Sequence, residues 1–149
     1  MGGCLAILGA PVAGASAVVA ICPASPEGLR RGLRAGRFQF EADVSALDAV
    51  LAGCDLHSAV EDLEMPLLLM HASGDEQVPV EHSQELAKHF SSDKSRLIVV
   101  PGGHHRSIQH DPELQAASVK FTLAALAEAP ARADTQGPQT ASDESHTVR

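Results

Sequence analysis

The first charged residue of the chain is Glu27, and the residues before it are almost all small or aliphatic. Residues 2–10 read as a small-residue helix. After a turn, residues 17–22 read as a buried strand, because a strand covered on both faces is a continuous apolar run. A Pro23-Ala24-Ser25-Pro26 loop follows. Residues 28–37 place Gly28, Gly32 and Gly36 four apart among Arg30, Arg31, Arg34 and Arg37. Each glycine weakens a helix by about 1 kcal/mol relative to alanine, so a mobile segment or frayed helices are expected there. Ser45 followed by Asp48 resembles a capping box with Asp in place of Glu. Leu47, Val50, Leu51 and Cys54 continue it at helical spacing. A short helix is expected over residues 58–63 and a buried strand over 66–71. The latter run is bounded by polar residues and too short to nucleate a helix. Residues 80–90 form an amphipathic helix with Ser83, Leu86 and Phe90 on one face, and residues 96–100 another buried strand. Asp111-Pro112-Glu113 starts a last helix, with Asp as N-cap and Pro at the first position, running to about residue 127. Strands alternating with helices predict an α/β fold of about three parallel strands with crossover helices. Chemistry in such sheets sits in loops at the carboxyl ends of the strands.

Composition narrows the picture. A chain of 149 residues with 44% hydrophobic content has room for one packed domain. From residue 130 onward polar and small residues lack periodicity, which predicts a disordered tail. With 19 acidic against 11 basic residues the net charge is -8, and aromatics are 3%. Nucleic acid is therefore not an expected partner, since neither a basic surface nor stacking platforms are present. Cys4, Cys22 and Cys54 are an odd number at irregular spacing, which fits free, small buried thiols in a reducing cytoplasm. The apolar start lacks the basic residues of a signal peptide. Gly2, Gly3, Gly9, Pro11 and Gly14 break it up as a membrane span, and Ala6 stands where myristoylation wants Ser or Thr. No membrane partner is expected.

Two loops after strands hold candidate chemistry: residues 71–79, with His71 and Asp75, and residues 101–105, with His104 and His105. A carboxylate after one strand and a histidine after the next suit the orientation of an imidazole. The acid accepts the Nδ1 proton and leaves Nε2 free as a base. Neither His71, His104, His105 and His110 nor the cysteines have metal-ligand spacing, so no metal or other cofactor is expected. His82 and His89, seven apart on a helix, read as solvent-facing. The arginines from Arg30 to Arg37 read as a solvated surface, with carboxylate or phosphate binding the sharper alternative. Ser107 and Gln109 are placed to support the histidine loop.

The two loops resemble those of the α/β-hydrolase superfamily, particularly its esterase, lipase-like and serine-aminopeptidase-like members. His71, Asp75, Val78 and Pro79 match an H-G-x-x-D-x-x-V-P acid loop, with Ala72 in place of the glycine. Pro101, Gly102 and His105 match a P-G-x-x-H loop. The resemblance spans about residues 1–127 and implies Asp75 as triad acid and His105, in preference to His104, as triad base. Such proteins carry their serine in a G-x-S-x-G elbow between a strand and a helix. Gly14-Ala15-Ser16-Ala17-Val18 lacks the last glycine and precedes a strand. Met1-Gly2-Gly3-Cys4-Leu5-Ala6 is similar to the second half of an elbow, which would put the serine just before Met1 and make Met1 the oxyanion-hole donor. The resemblance thus implies the C-terminal part of a hydrolase domain over residues 1–128, with a lid over 28–64 and the tail over 129–149. It further implies a small-molecule ester or amide substrate, acyl transfer when complete, and inactivity without the nucleophile. A non-catalytic binding or regulatory fragment is the alternative. The strand over 17–22, left at a sheet edge, is expected to promote self-association.

Overall fold

Leu67, Leu68, Leu69 and Met70, all no more than 2% exposed, lie in the middle strand of a three-stranded parallel sheet. The structure, a computed structural model, describes residues 1–38, 41 and 43–129. From residue 130 the expected tail lies outside the described residues. The chain runs α1 (Gly2–Gly9), β1 (Val18–Ile21), α2 (Pro26–Arg34), α3 (Val44–Ala52), α4 (Leu56–Glu61), β2 (Leu67–Ala72), α5 (Val80–Ala87), β3 (Arg96–Val100), a 3-10 turn (Ile108–His110) and α6 (Pro112–Glu128). The sheet order is β1-β2-β3, with Val18 opposite Leu67 and Leu68 opposite Arg96.

Alternation along β2 sorts its side chains into two cores. Leu67 and Leu69 join Val18, Ala20, Ile7, Leu29, Leu51, Val60 and Leu86 under the helices α1 to α5. Leu68 and Met70 face the opposite layer with Ile108, partly covered by Leu114 and Phe121 of α6. A strand covered on both faces needs an unbroken apolar sequence, which is why β2 reads as one run. The strand over 96–100 has the expected bounds but not the expected burial. It is an edge strand, and Val99 remains 37% exposed.

The glycine-rich arginine segment, where a mobile segment or frayed helices are expected, is helical over Pro26–Arg34. Ser25 caps α2 by accepting from the Gly28 N–H at 3.0 Å, and Pro26 takes the first helical position. Asp48 on α3 accepts from Arg30 Nε at 3.2 Å, from Arg30 Nη2 at 3.3 Å and from Arg34 Nη2 at 3.0 Å. Two guanidinium groups converging on one carboxylate tie α2 to α3 and offset the glycines. They also hold the Asp48 carboxyl below its ordinary pKa. Gly32 has its own use, since a Cβ there would come within 2.8 Å of the Phe38 ring. Asp48 is thus committed to the arginines, and Ser45 is not the cap: α3 is capped by Asp43, which accepts from the Ala46 N–H at 2.9 Å. Likewise Asp55 caps α4, which starts two residues earlier than its hydropathy suggests. Asp111 caps α6 as expected.

His82 and His89 are not simple solvent-facing residues. His89 stacks on His57 at 4.9 Å between ring centroids, and its Nδ1 meets Glu61 Oε1 at 2.5 Å. The His82 Nε2 atom is buried without a hydrogen-bond partner among the described residues.

Candidate active site

The loop after β2 is built around the carboxylate of Asp75. Its Oδ1 accepts from the backbone N–H of Gln77 at 2.8 Å and of Val78 at 2.9 Å, a turn that Asp side chains favour. Its Oδ2 lies 2.7 Å from Nδ1 of His105. The Asp75 side chain is fully buried and that of His105 is 20% exposed. Burial pushes the Asp75 carboxyl up. The donors from Val78, His105 and Gln77 outweigh that and hold it below the ordinary carboxylate value.

His71, at the end of β2, anchors the same loop from below. It is fully buried, with Nδ1 2.7 Å from Ser83 Oγ of α5 and Nε2 2.9 Å from the Val78 carbonyl. The carbonyl only accepts, so Nε2 carries the proton and Nδ1 accepts from the Ser83 hydroxyl. His71 Nε2 is also 3.4 Å from Asp75 Oδ2. One imidazole thereby fixes Val78, the residue whose N–H holds the carboxylate.

The histidine loop after β3 is stapled to the acid loop through the backbone. Ser73 N–H donates to the Val100 carbonyl at 2.8 Å, Gly74 N–H to the Gly102 carbonyl at 3.0 Å, and Gly102 N–H to Ser73 Oγ at 2.8 Å. Only glycine fits at position 74, because a Cβ would sit 2.5 Å from the Gly103 carbonyl oxygen. Gly102 and Gly103 take φ of 67° and 71°, the left-handed region where glycine carries no Cβ penalty. Ser107 Oγ accepts from His104 N–H at 3.0 Å and donates to the His104 carbonyl at 2.7 Å, closing the turn that presents His105. Ala72, where the motif usually has glycine, sits fully buried inside β2.

Asp75 and His105 are therefore in contact, and His104 makes no side-chain hydrogen bond among the described residues. An Nδ1–H donated to Asp75 leaves Nε2 unprotonated, as a general base requires. His105 borders a cavity of about 240 Å³ together with Met1, Gly2, Gly3, Cys22 and Gln109. Met1 caps α1, and burial lowers the pKa of its amine. Close packing brings α1 here, since a Cβ on Gly3 would lie 3.0 Å from the Ile21 carbonyl oxygen.

Sequence reasoning missed the roles of two residues. The anchoring role of His71 depends on Ser83, twelve positions away on a helix, and no local signal announces it. Cys22, taken for a small buried hydrophobe, is 2% exposed but adjoins the pair. Its Sγ, a carboxylate oxygen of Asp75 and a ring nitrogen of His105 lie within 4.8 Å of one another. Cys22 is also the one non-glycine residue with positive φ among the described residues, at 43°. Burial, and then the neighbouring Asp75, push its thiol pKa up to about 12.

A family model described as serine aminopeptidase, S33, matches residues 41–113, which include both loops. An Escherichia coli O157:H7 protein, "Uncharacterized protein YfhR", is 28% identical over 134 residues, 82% of this chain and 46% of that protein. Among solved structures, Est1E from Butyrivibrio proteoclasticus matches with a TM-score of 0.59 and 19% identity, over 85% of this chain and 58% of that one. The monoacylglycerol lipase of Paleococcus ferrophilus matches with a TM-score of 0.57 and 18% identity, over 83% and 65%. The esterase domain of a Rhodothermus marinus protein gives 0.59 and 19%, over 84% and 57%. The chain spans about half the length of the curated relative it matches.

Proposed function

We propose that this chain, whose residues 41–113 match the serine aminopeptidase model and whose fold matches esterases, is a member of the α/β-hydrolase superfamily, with Asp75 and His105 as the acid and base of a serine hydrolase that cleaves ester or amide bonds by acyl transfer. The observation that carries this reading is the 2.7 Å contact between a fully buried carboxylate and Nδ1 of a cavity-lining histidine. In this reading a serine from residues outside the 149 gives its proton to His105 Nε2 as its oxygen attacks the acyl carbon. His105 then returns the proton to the leaving group, while Asp75 stabilises the imidazolium. The Met1 N–H, when part of a peptide bond, serves the oxyanion hole. The esterase and lipase names of similar proteins favour esters over amides. A cytoplasmic setting is part of the proposal and rests on three free cysteines. Among the described residues no helix is long and apolar enough to cross a membrane.

The reading includes the absence of turnover from these 149 residues alone, since no serine hydroxyl hydrogen-bonds to His105 among the described residues. A short-chain nitrophenyl ester should be hydrolysed at the same background rate by this chain and by its His105→Ala variant. Robust hydrolysis lost on His105→Ala overturns that part. Reading the DNA upstream of the first codon tests the rest: an in-frame Gly-x-Ser with further strand and helix patterns is expected. A stop codon there instead favours a non-catalytic binding or regulatory role.

The proposal extends to self-association. Strand β1 is an edge of the sheet, and its alternate backbone groups face outward beside Val19 and Ile21, which are only partly buried. Unpaired strand edges beside apolar surface recruit further strands. Sedimentation of the 149-residue chain should show concentration-dependent species larger than a monomer, and a monodisperse monomer with cooperative melting contradicts this.

A further inference from the structure

We propose that Cys22, Asp75 and His105 together form a binding site for a thiophilic divalent cation, Zn²⁺ or Cd²⁺. The site is assembled from three separate strand ends: Cys22 follows β1, Asp75 follows β2 and His105 follows β3. One sulfur, one carboxylate oxygen and one imidazole nitrogen converge within 4.8 Å. That mixed donor set is the chemistry zinc prefers over magnesium or calcium. Tetrahedral zinc, with bonds of about 2.0 to 2.3 Å, holds its ligand atoms roughly 3.5 Å apart. The three donors therefore need to close by little more than about 1 Å, from an upper limit of 4.8 Å.

The second observation is access. Cys22 and His105 both border the cavity of about 240 Å³ beneath the N-terminus of α1, so a hydrated ion has a route to both and water has room for a fourth position. Cys22 is nearly buried and its thiol is protonated at neutral pH, so it is no nucleophile in the free protein. Coordination displaces that proton, which leaves to solvent, and the resulting thiolate with the Asp75 carboxylate balances the two charges of the ion. His105 binds as neutral imidazole: where Nδ1 is the ligand atom, the proton it shares with Asp75 moves to Nε2 and none is released from the ring. The consequence for turnover rests on the acyl-transfer reading above: an ion on this set holds the acid and base out of use and inhibits. Binding itself does not depend on that reading.

The test is titration of the intact 149-residue protein with Cd²⁺ alone, in a non-chelating reductant, following the ultraviolet thiolate-to-cadmium charge-transfer band. Calorimetry in buffers of different ionisation enthalpy reads the proton count. One ion per chain, one released proton and competition by Zn²⁺ are expected. Cys22→Ala should abolish the band and weaken binding by at least about a hundredfold, the upper range for loss of an outer-shell partner. Cys54→Ala should leave both unchanged. His105→Gln, on an accessible loop, should keep the circular-dichroism spectrum and weaken binding by at least about tenfold. A band that survives Cys22→Ala, or His105→Gln binding as tightly as the parent, overturns the proposal. Because no measurement involves turnover, an inactive protein that binds Cd²⁺ through Cys22 separates this inference from the catalytic one.

Discussion

Asp75→Asn should lower kcat about ten-thousandfold in a chain that includes the nucleophile, with KM little changed. The reason lies in how the loop holds the side chain. Two backbone N–H groups, from Gln77 and Val78, converge on Oδ1. In the variant that position accepts only the amide oxygen, because an NH₂ group there would meet two donors. The amide nitrogen is then forced into the place of Oδ2, 2.7 Å from His105 Nδ1. A donor facing Nδ1 puts the imidazole proton on Nε2, where it blocks the base. The same flip is measurable without any turnover. Nitrogen NMR of the 149-residue chain should show the His105 proton on Nδ1 in the parent and on Nε2 in Asp75→Asn. An unchanged tautomer in the variant refutes the mechanism, and Asp75→Glu does not serve as a control because its longer stem displaces both backbone contacts.

The second large effect is on stability. His71→Leu should destabilise the fold by about 2–4 kcal/mol, a substantial part of a typical domain's 5–15. Leucine fills the space under α5 but makes neither polar contact. The Ser83 hydroxyl and the Val78 carbonyl then lose partners at 2.7 Å and 2.9 Å, and Ser83 is fully buried. Buried groups left unpaired cost more than the bonds contribute when made. A double variant tests this physically: His71→Leu with Ser83→Ala removes both members of one bond. It should recover about 1 kcal/mol relative to His71→Leu alone, an interaction read by a double-mutant cycle in urea. Simple additivity of the two changes defeats the argument. Hydrogen exchange at the Val78 N–H should also quicken in His71→Leu, since the Val78 carbonyl loses its tie to the imidazole, while His105 keeps its proton on Nδ1.

Much of the fold is legible because local signals and burial agree. β2 shows itself as an apolar run since it is covered on both faces, and α6 announces its start through Asp111 and Pro112. Two of the failures share a cause, the reassignment of a side chain by a distant partner. Asp48 suits a capping role by spacing, yet Arg30, eighteen residues away, claims it, and the same contact orders a helix that its glycines argue against. β3 has the hydropathy of a buried strand but lies at an edge, and strand order is not written in any one segment.

The local spacing of Asp75 and of His105 after successive strands, and the alternation of strands and helices, were determined by the sequence alone. Those features depend on residues a few positions apart, where covalent connection and backbone preference suffice. The anchoring of the carboxylate loop by His71 and Ser83, the closeness of Cys22 to Asp75 and His105, and the pairing of Asp48 with two arginines were decided only by the tertiary structure. Each joins segments separated by many residues, and their meeting is set by packing and sheet order, which no local pattern encodes.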